Sequence, residues 1–404
     1  MKKIPLMLIA FFILPAALSA LDFSLLVDQN LGVSGGADSG AEGTAVDYQA
    51  GITPRLSGLL GSSGEFTVSA GVTAVTEGDF NLIPELLRTE VSLRLGGAKI
   101  TAGRMQYTAP FAGIADGLYD GFQFGYDTAL GTFSAGAWYT GLLYKKKANI
   151  TMTEKDNQSF STVLDYDDFA GTYFASRRAV ASLGWEHPAI AELVRAKFAV
   201  IAQFDLNDKT EYLNSQYITI KAGVPVKQFM FEAGGVMELA ETGAGSGFNV
   251  GLAGELGVFW TLHTAFASRL SLTGYFSSAD SGDSLAAFTP ISAKTYGAVL
   301  EAGPSGISAL SLDYTARLHK TFSAGISSMY FIRSDFVTYT GYPLDGEAKD
   351  KYLLGNEFFA RLIWSPVSDI QINLGAGVFV PAMGNAAKDK DPLWRIKLAA
   401  VISL

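Results

Sequence analysis

The sequence predicts an all-β protein, a transmembrane antiparallel up-and-down β-barrel of about 18 strands, with 16 as the alternative. Three observations predict it. Apolar and polar residues alternate at a period of two in one segment after another. The chain opens with a leader of the kind that directs export. Its apolar content, 49% of 404 residues, is spread out, and beyond the leader no run approaches the roughly 18 apolar residues of a membrane helix. In hydrocarbon every backbone polar group needs a partner within the protein, so a spanning β-structure has to close on itself.

The leader comes first. Lys2 and Lys3 precede a largely apolar run from Ile4 through Leu18, and small residues gather at Ala16, Ala17, Ser19 and Ala20. This is the layout of a signal peptide, residues 1–20, cleaved after Ser19 or Ala20. Residues 21–404 are then one barrel domain that begins directly at Leu21, which leaves no stretch for a folded N-terminal plug.

Strand signals of about ten residues bounded by turn residues follow in order. They fall near 22–32, 45–58, 64–76, 85–96, 98–107, 119–127 and 131–143. The next are near 177–186, 192–205, 214–224, 228–239, 247–260 and 266–278. The last are near 293–302, 307–318, 321–334, 354–366, 369–380 and 392–404. That makes nineteen, whereas chain ends on the same side of a membrane require an even number. The tight turn at His319-Lys320 fixes the direction of its neighbours. Segment 293–302, closed by Gly303-Pro304-Ser305-Gly306, therefore belongs to an external excursion or extends the following strand. Eighteen strands remain.

Alternation is clearest in five places. Leu87, Thr89, Val91, Leu93 and Leu95 face away from Arg88, Glu90, Ser92 and Arg94. Ala196, Phe198, Val200, Ala202 and Phe204 oppose Arg195, Lys197 and Gln203. Phe229, Phe231 and Ala233 oppose Glu232, with Glu238 beyond. Leu312, Tyr314 and Ala316 oppose Asp313, Thr315 and Arg317, and Phe358, Ala360, Leu362 and Trp364 oppose Glu357, Phe359 and Arg361. Side chains of a strand point alternately to its two faces, so each strand has one apolar and one polar face. A soluble β-sandwich alternates too. Repeated charges at mid-strand fit a water-filled interior better. Short turns, Gly61-Ser62-Ser63-Gly64, Gly96-Gly97, Pro225-Val226-Lys227 and Pro366-Val367-Ser368-Asp369, mark one end, and long connections at 144–176, 278–292 and 335–352 mark the other. This is the expected asymmetry between periplasmic turns and external loops.

Composition narrows the classes. There are no cysteines, which removes disulfides and a lipid-anchored N-terminus. Net charge is −9, which argues against nucleic acid as a partner. The three histidines, His187, His263 and His319, fall in predicted periplasmic turns, away from the outer rim where a barrel enzyme would meet its substrate. No enzyme activity, cofactor or metal is expected. Glu154, Asp156, Asp165, Asp167 and Asp168, and the pair Asp280 and Asp283, lack the ordered spacing of a calcium loop and read as solvated surface. Lys145-Lys146-Lys147 reads as a rim facing lipid headgroups, and Gly243-Ala244-Gly245-Ser246-Gly247 as a turn without the Lys and helix of a phosphate loop.

Function is therefore sought in the lumen, where charged side chains at a constriction set selectivity. The pore-lining candidates are Arg88, Glu90, Arg94, Lys99, Arg195, Lys197, Lys221, Glu232, Arg317, Glu357, Arg361, Arg395 and Lys397, with Arg269, Asp205, Glu238, Glu255 and Asp313 beside them. Bases lead, so a slight preference for anions is expected. The alternative is that opposite charges pair across strands and hold the wall in shape.

Two resemblances follow. Trp394, Ile396, Leu398, Ala400, Ile402 and Leu404 alternate with Arg395, Lys397 and Ser403. This resembles the terminal strand that outer-membrane proteins present to the barrel assembly machinery, with Leu404 where an aromatic usually stands. Gly103-Arg104, then Ala112-Gly113-Ile114-Ala115-Asp116-Gly117 and Tyr119-Asp120-Gly121, resembles porin-type channels. That likeness implies that loop 108–118 folds inward, whereas the residues alone fit a compact external loop equally well. The whole chain resembles an outer-membrane porin of Gram-negative bacteria, spirochaetes among them. What this implies is passive diffusion of small hydrophilic solutes, contact with outer-membrane lipid, and room for a homo-trimer around Gly274 and Ala324. The competing class is a surface adhesin or scaffold acting through loops 144–176 and 335–352, with Tyr144, Tyr166, Tyr173 and Tyr339 as anchors. A barrel enzyme stands last.

Overall fold

The computed structural model describes every residue except 1–17, 37–43, 78, 112, 208–210, 244–246, 281–284, 293, 335–341, 343 and 346–350. The signal peptide, Ala112, Asp283 and Tyr339 thus lie wholly or largely outside the described residues. Strands are β1 (Leu18–Gly35), β2 (Ala45–Leu60), β3 (Gly64–Glu77), β4 (Asp79–Leu95), β5 (Ala98–Thr108) and β6 (Asp116–Thr128). They continue with β7 (Gly131–Tyr139), β8 (Arg178–Ile190), β9 (Val194–Asp205), β10 (Leu213–Val226), β11 (Phe229–Thr242) and β12 (Phe248–Leu262). The rest are β13 (Ser268–Ser277), β14 (Ile307–His319), β15 (Phe322–Arg333), β16 (Leu353–Val367), β17 (Ile370–Val380) and β18 (Leu393–Ser403). Between β7 and β8 lie three short helices, α1 (Lys145–Ala148), α2 (Glu154–Ser161) and α3 (Phe169–Tyr173).

Each strand pairs antiparallel with its sequence neighbour, and β1 pairs with both β2 and β18, which closes an 18-stranded sheet. Leu31 opposite Leu398 marks the seam. The even count is met because the described residues 294–302 form no strand. They make only an isolated bridge, Tyr296 to Ala302, within the excursion between β13 and β14.

The short connections are tight because their residues suit them. Leu95 and Ala98 are paired across a two-residue turn in which Gly96 has φ +61°, a conformation that costs glycine little. At the other end most connections are longer, and two of them, between β5 and β6 and between β13 and β14, turn inward.

Period two places apolar side chains on the outer face: Phe198, Val200, Phe204, Leu256, Ile396 and Leu398 are all exposed. On β4 the pattern changes phase. Val68 pairs with Thr89 but Ala70 with Leu86, so a bulge holds residues 87 and 88. Leu82 and Leu86 are exposed before it, and Val91, Leu93 and Leu95 after it. Leu87 therefore sits in the bulge, half-buried, instead of joining the outer row.

Candidate channel interior

The inner face of the barrel is identified by what the inturned connections touch. The connection between β5 and β6 is closed by Ala109 N–H to Ala115 O (2.9 Å) and Ile114 N–H to Phe111 O (3.0 Å). Phe111 is fully buried. Its ring lies 6.4 Å from that of Tyr275 on β13 and beside Gly234 on β11. The connection therefore spans the bore from one wall to the far one. The excursion 278–306 reaches on from there. Ile291 N–H donates to Ile114 O (2.8 Å), and Asp116 N–H to the Ser292 hydroxyl (2.8 Å), which joins the two connections. Glu238 on β11 accepts from Thr289 N–H at 2.6 Å. Glu357 on β16 accepts from the N–H groups of Ala298, Val299 and Leu300 at 2.6–3.0 Å. Glu301 then meets Arg395 and Lys397 of β18 at 2.5 and 2.7 Å.

Apolar packing occupies part of this half of the barrel. Tyr107, Tyr119 and Trp138 cluster on the inner face of β5, β6 and β7, with Tyr107 stacked on Trp138 at 4.1 Å. Phe111, Ile114, Phe288, Ile291, Phe331 and Phe379 join them in one buried core. The core of the molecule thus lies inside the barrel and is built from the inner strand faces and the connections together.

Toward the short turns and at mid-wall the inner face is charged. Arg88, Glu90 and Arg94 share a face with buried Ser92, and Lys99 with buried Thr101. Arg195, Lys197 and Asp205 share the face of buried Ala199, Ile201 and Gln203. Lys221 alternates with buried Tyr217 and Thr219, and Glu232 with Val236 and Glu238. Asp313 and Arg317 continue the face of Ser311, and Arg361 that of Glu357.

Many of these charges are paired. Arg88 meets Glu90 at 2.5 Å, Lys99 meets Glu65 at 3.8 Å, and Lys197 meets Glu186 at 3.0 Å. Lys221 bridges three strands, reaching Glu232 at 3.4 Å and Glu255 at 2.8 Å. Register explains the second contact. Gly234 lies opposite both Lys221 and Glu255, and its missing side chain leaves the space they cross. Arg269 lies over the Phe259 ring at 4.4 Å. Among the described residues, Arg94, Arg195, Arg317 and Arg361 make no ion pair. A cavity of about 250 Å³ opens here, lined by Lys221, Glu255, Tyr275, Lys294, Tyr296 and Met329 among others.

Burial alone would raise the pKa of Glu301, but Arg395 and Lys397 outweigh it and hold the carboxyl below its usual range. Burial pushes the Tyr173 phenol up to about 12, so it stays protonated and donates.

Several sequence readings change. Lys145 is buried and donates to Thr162 O (2.6 Å), Lys146 lies over the Phe160 ring (4.2 Å), and Lys147 faces Glu85 (3.8 Å). These lysines pack the 140–177 connection instead of a headgroup rim. Asp156 is buried too: it caps α2 with Thr153 and pairs with fully buried Arg178 at 2.5 Å, beside Asp205 at 3.0 Å. Tyr144 and Tyr173 are buried within the protein, and the Tyr166 hydroxyl bonds to Leu82 O. His187 lies within β8 and His319 ends β14, with only His263 in a turn. Sequence reading passed over Glu85, Arg178 and Glu301. The phase change at the β4 bulge hid Glu85, and Glu301 lay in a segment that alternated like a strand. Arg104 and Asp120 belong to the Gly/Ala-rich motif around the connection between β5 and β6. They form a two-bond pair at 2.8 Å.

No family model matches this chain, and no curated protein matches it. Solved structures do. OccK2 (OpdF) of Pseudomonas aeruginosa superposes with a TM-score of 0.64 at 12% identity, covering 96% of this chain and 98% of the other. The same protein in complex with glucuronate gives 0.63 at 11% identity, covering 96% and 99%. The outer membrane protein OprD of Pseudomonas aeruginosa gives 0.57 at 15% identity, covering 95% and 94%. At these identities the likeness is one of fold, and it extends over the whole barrel.

Proposed function

We propose that the chain is an outer-membrane channel through which small hydrophilic solutes diffuse passively, with a mild preference for anions. The observation that carries this is the inverted polarity of the closed barrel. Its outer face is apolar and exposed all round, while its inner face carries Arg94, Arg195, Arg317 and Arg361, which have no acidic partner among the described residues. An apolar surface of that extent has to be covered, and lipid covers a closed barrel at no cost in unpaired backbone. An 18-stranded ring is wide enough to leave an aqueous path. The inturned connections 109–115 and 278–306 narrow that path at the long-loop end, which faces outward in this reading.

The lining residues proposed are those on the inner face, from Arg88 to Lys397. The paired ones brace the wall, and the four unpaired arginines attract the solute. A small carboxylated sugar such as the glucuronate held by one similar structure belongs to the solute class this lining suits. Signal-peptide removal, delivery by the assembly machinery through the strand ending at Leu404, and lipid contact along Trp394, Ile396, Leu398 and Ile402 belong to the same reading.

Single-channel recording of the refolded chain under a salt gradient tests it. Stable steps with a reversal potential favouring anions are expected, and Arg94→Glu with Arg361→Glu should shift that potential toward cations. A folded barrel that never conducts would overturn the reading.

A further inference from the structure

The ladder between β4 and β5 is incomplete. The two strands pair from Leu95 opposite Ala98 to Thr89 opposite Arg104 and no further. Yet β4 runs on to Asp79 along β3. Alternate residues of a strand present their backbone groups to the same edge, so Leu82, Pro84 and Leu86 turn theirs toward the missing partner. Pro84 has no N–H to leave bare there, as suits an edge. The outer side chains on this stretch are apolar and exposed, Phe80 at 64% and Leu82 and Leu86 at 47%. In the proposed membrane this edge faces lipid, where unpaired backbone is costly.

Segment 140–177 fills the gap with side chains. The Tyr166 hydroxyl donates to Leu82 O, and the Tyr173 hydroxyl to Pro84 O at 2.6 Å. Arg104, held by Asp120, donates to both Leu86 O (2.5 Å) and Leu142 O (3.0 Å). Behind these bonds Tyr144, Leu164 and Tyr173 bury Ile83, with Val75, Phe169 and Phe174 packed around them. A second, small core has formed in the place of a strand.

We propose that segment 140–177 is the removable stopper of a side opening between β4 and β5, through which amphipathic solutes pass between the barrel interior and the surrounding lipid. Side-chain bonds of this kind part without breaking any strand ladder. Parting them uncovers an apolar patch, Ile83 and Val75, beside a row of acceptors: the carbonyls of Leu82, Pro84 and Leu86 and the Glu85 carboxylate. The matching solute has a ring or alkyl body and an N–H or O–H donor, and is neutral or cationic. This goes beyond the polar path and rests on the reading of the chain as a membrane channel.

The absence of cysteine makes the test clean. Leu86→Cys with Leu142→Cys places thiols on the two positions whose carbonyls share Arg104, both exposed. A bismaleimide then tethers the stopper. The probe is N-phenyl-1-naphthylamine, an aromatic amine that a lipopolysaccharide leaflet excludes and that fluoresces once in lipid, added to cells producing the protein. Tethering should abolish the protein-dependent dye uptake, and Tyr173→Ala with Tyr166→Phe should raise it several-fold, each with salt conductance unchanged in planar bilayers. Dye uptake indifferent to the tether would overturn the proposal, as would dye uptake and conductance changing together, since the segment would then guard only the polar path. The tethered pair decides the matter even if the tyrosine variant fails to fold. Loss of conductance in the unmodified chain counts against the channel reading alone, and the dye arms judge the side opening separately.

Discussion

The carboxyl of Glu301 carries a pH dependence with a definite sign. Its pKa is depressed because Arg395 and Lys397 outweigh its burial. Its contacts are therefore intact above the usual carboxylate range and weaken as pH falls through the lowered value. Two cations are then released toward the bore. The anion preference of the wild type should grow on acidification, and Glu301→Gln should show that stronger preference already at pH 7 with a flatter pH profile. Reversal potentials across a pH series check this. Arg178 makes a second case. It is fully buried between Asp156 and Asp205, so Arg178→Met leaves two buried carboxylates uncompensated. A loss of about 3–5 kcal/mol is expected, read as a lower denaturant midpoint in the heat-modifiable mobility assay; an unchanged midpoint would mean that the pair adds nothing.

Connection 109–115 reaches across the barrel to Tyr275 and Gly234, and in the proposed channel it narrows the path. Truncating its buried ring, Phe111→Ala, removes the contact with Tyr275 and Gly234. The cost should be about 3–5 kcal/mol, felt by the connection first, and single-channel conductance should rise. Unaltered conductance would place the constriction elsewhere. The strands were legible in the sequence for a physical reason: a barrel strand touches only its two neighbours, so its outer and inner faces are written locally at period two. The connections were not, because burial of Phe111, Phe288 and Ile291 depends on walls far away in the chain. Segment 293–302 alternates like a strand, yet the N–H groups of Ala298, Val299 and Leu300 find the Glu357 carboxylate instead of a neighbouring strand. The β4 bulge misled for a related reason, since period two carries no mark of a phase change. Charged residues were legible as a face, but which of them pair was decided by register, as Lys221, Gly234 and Glu255 show.

At the scale of the whole barrel, the two faces of one strand answer to different solvents. On β18, Leu398→Arg should cost about 2–4 kcal/mol if the strand's centre lies at the bilayer midplane, while Lys397→Ala on the inner face should cost far less. Refolding titrations into vesicles measure both, and equal costs would deny the outer face its lipid. The bond between Ile114 and Ile291 has one more consequence, for the history of each molecule. It joins residues far apart in sequence, and Ile291 lies in the excursion between β13 and β14. Contacts of such long range form late. A barrel caught part-way through assembly would therefore be leakier than the finished one, and its narrowing would time the last step of its own construction.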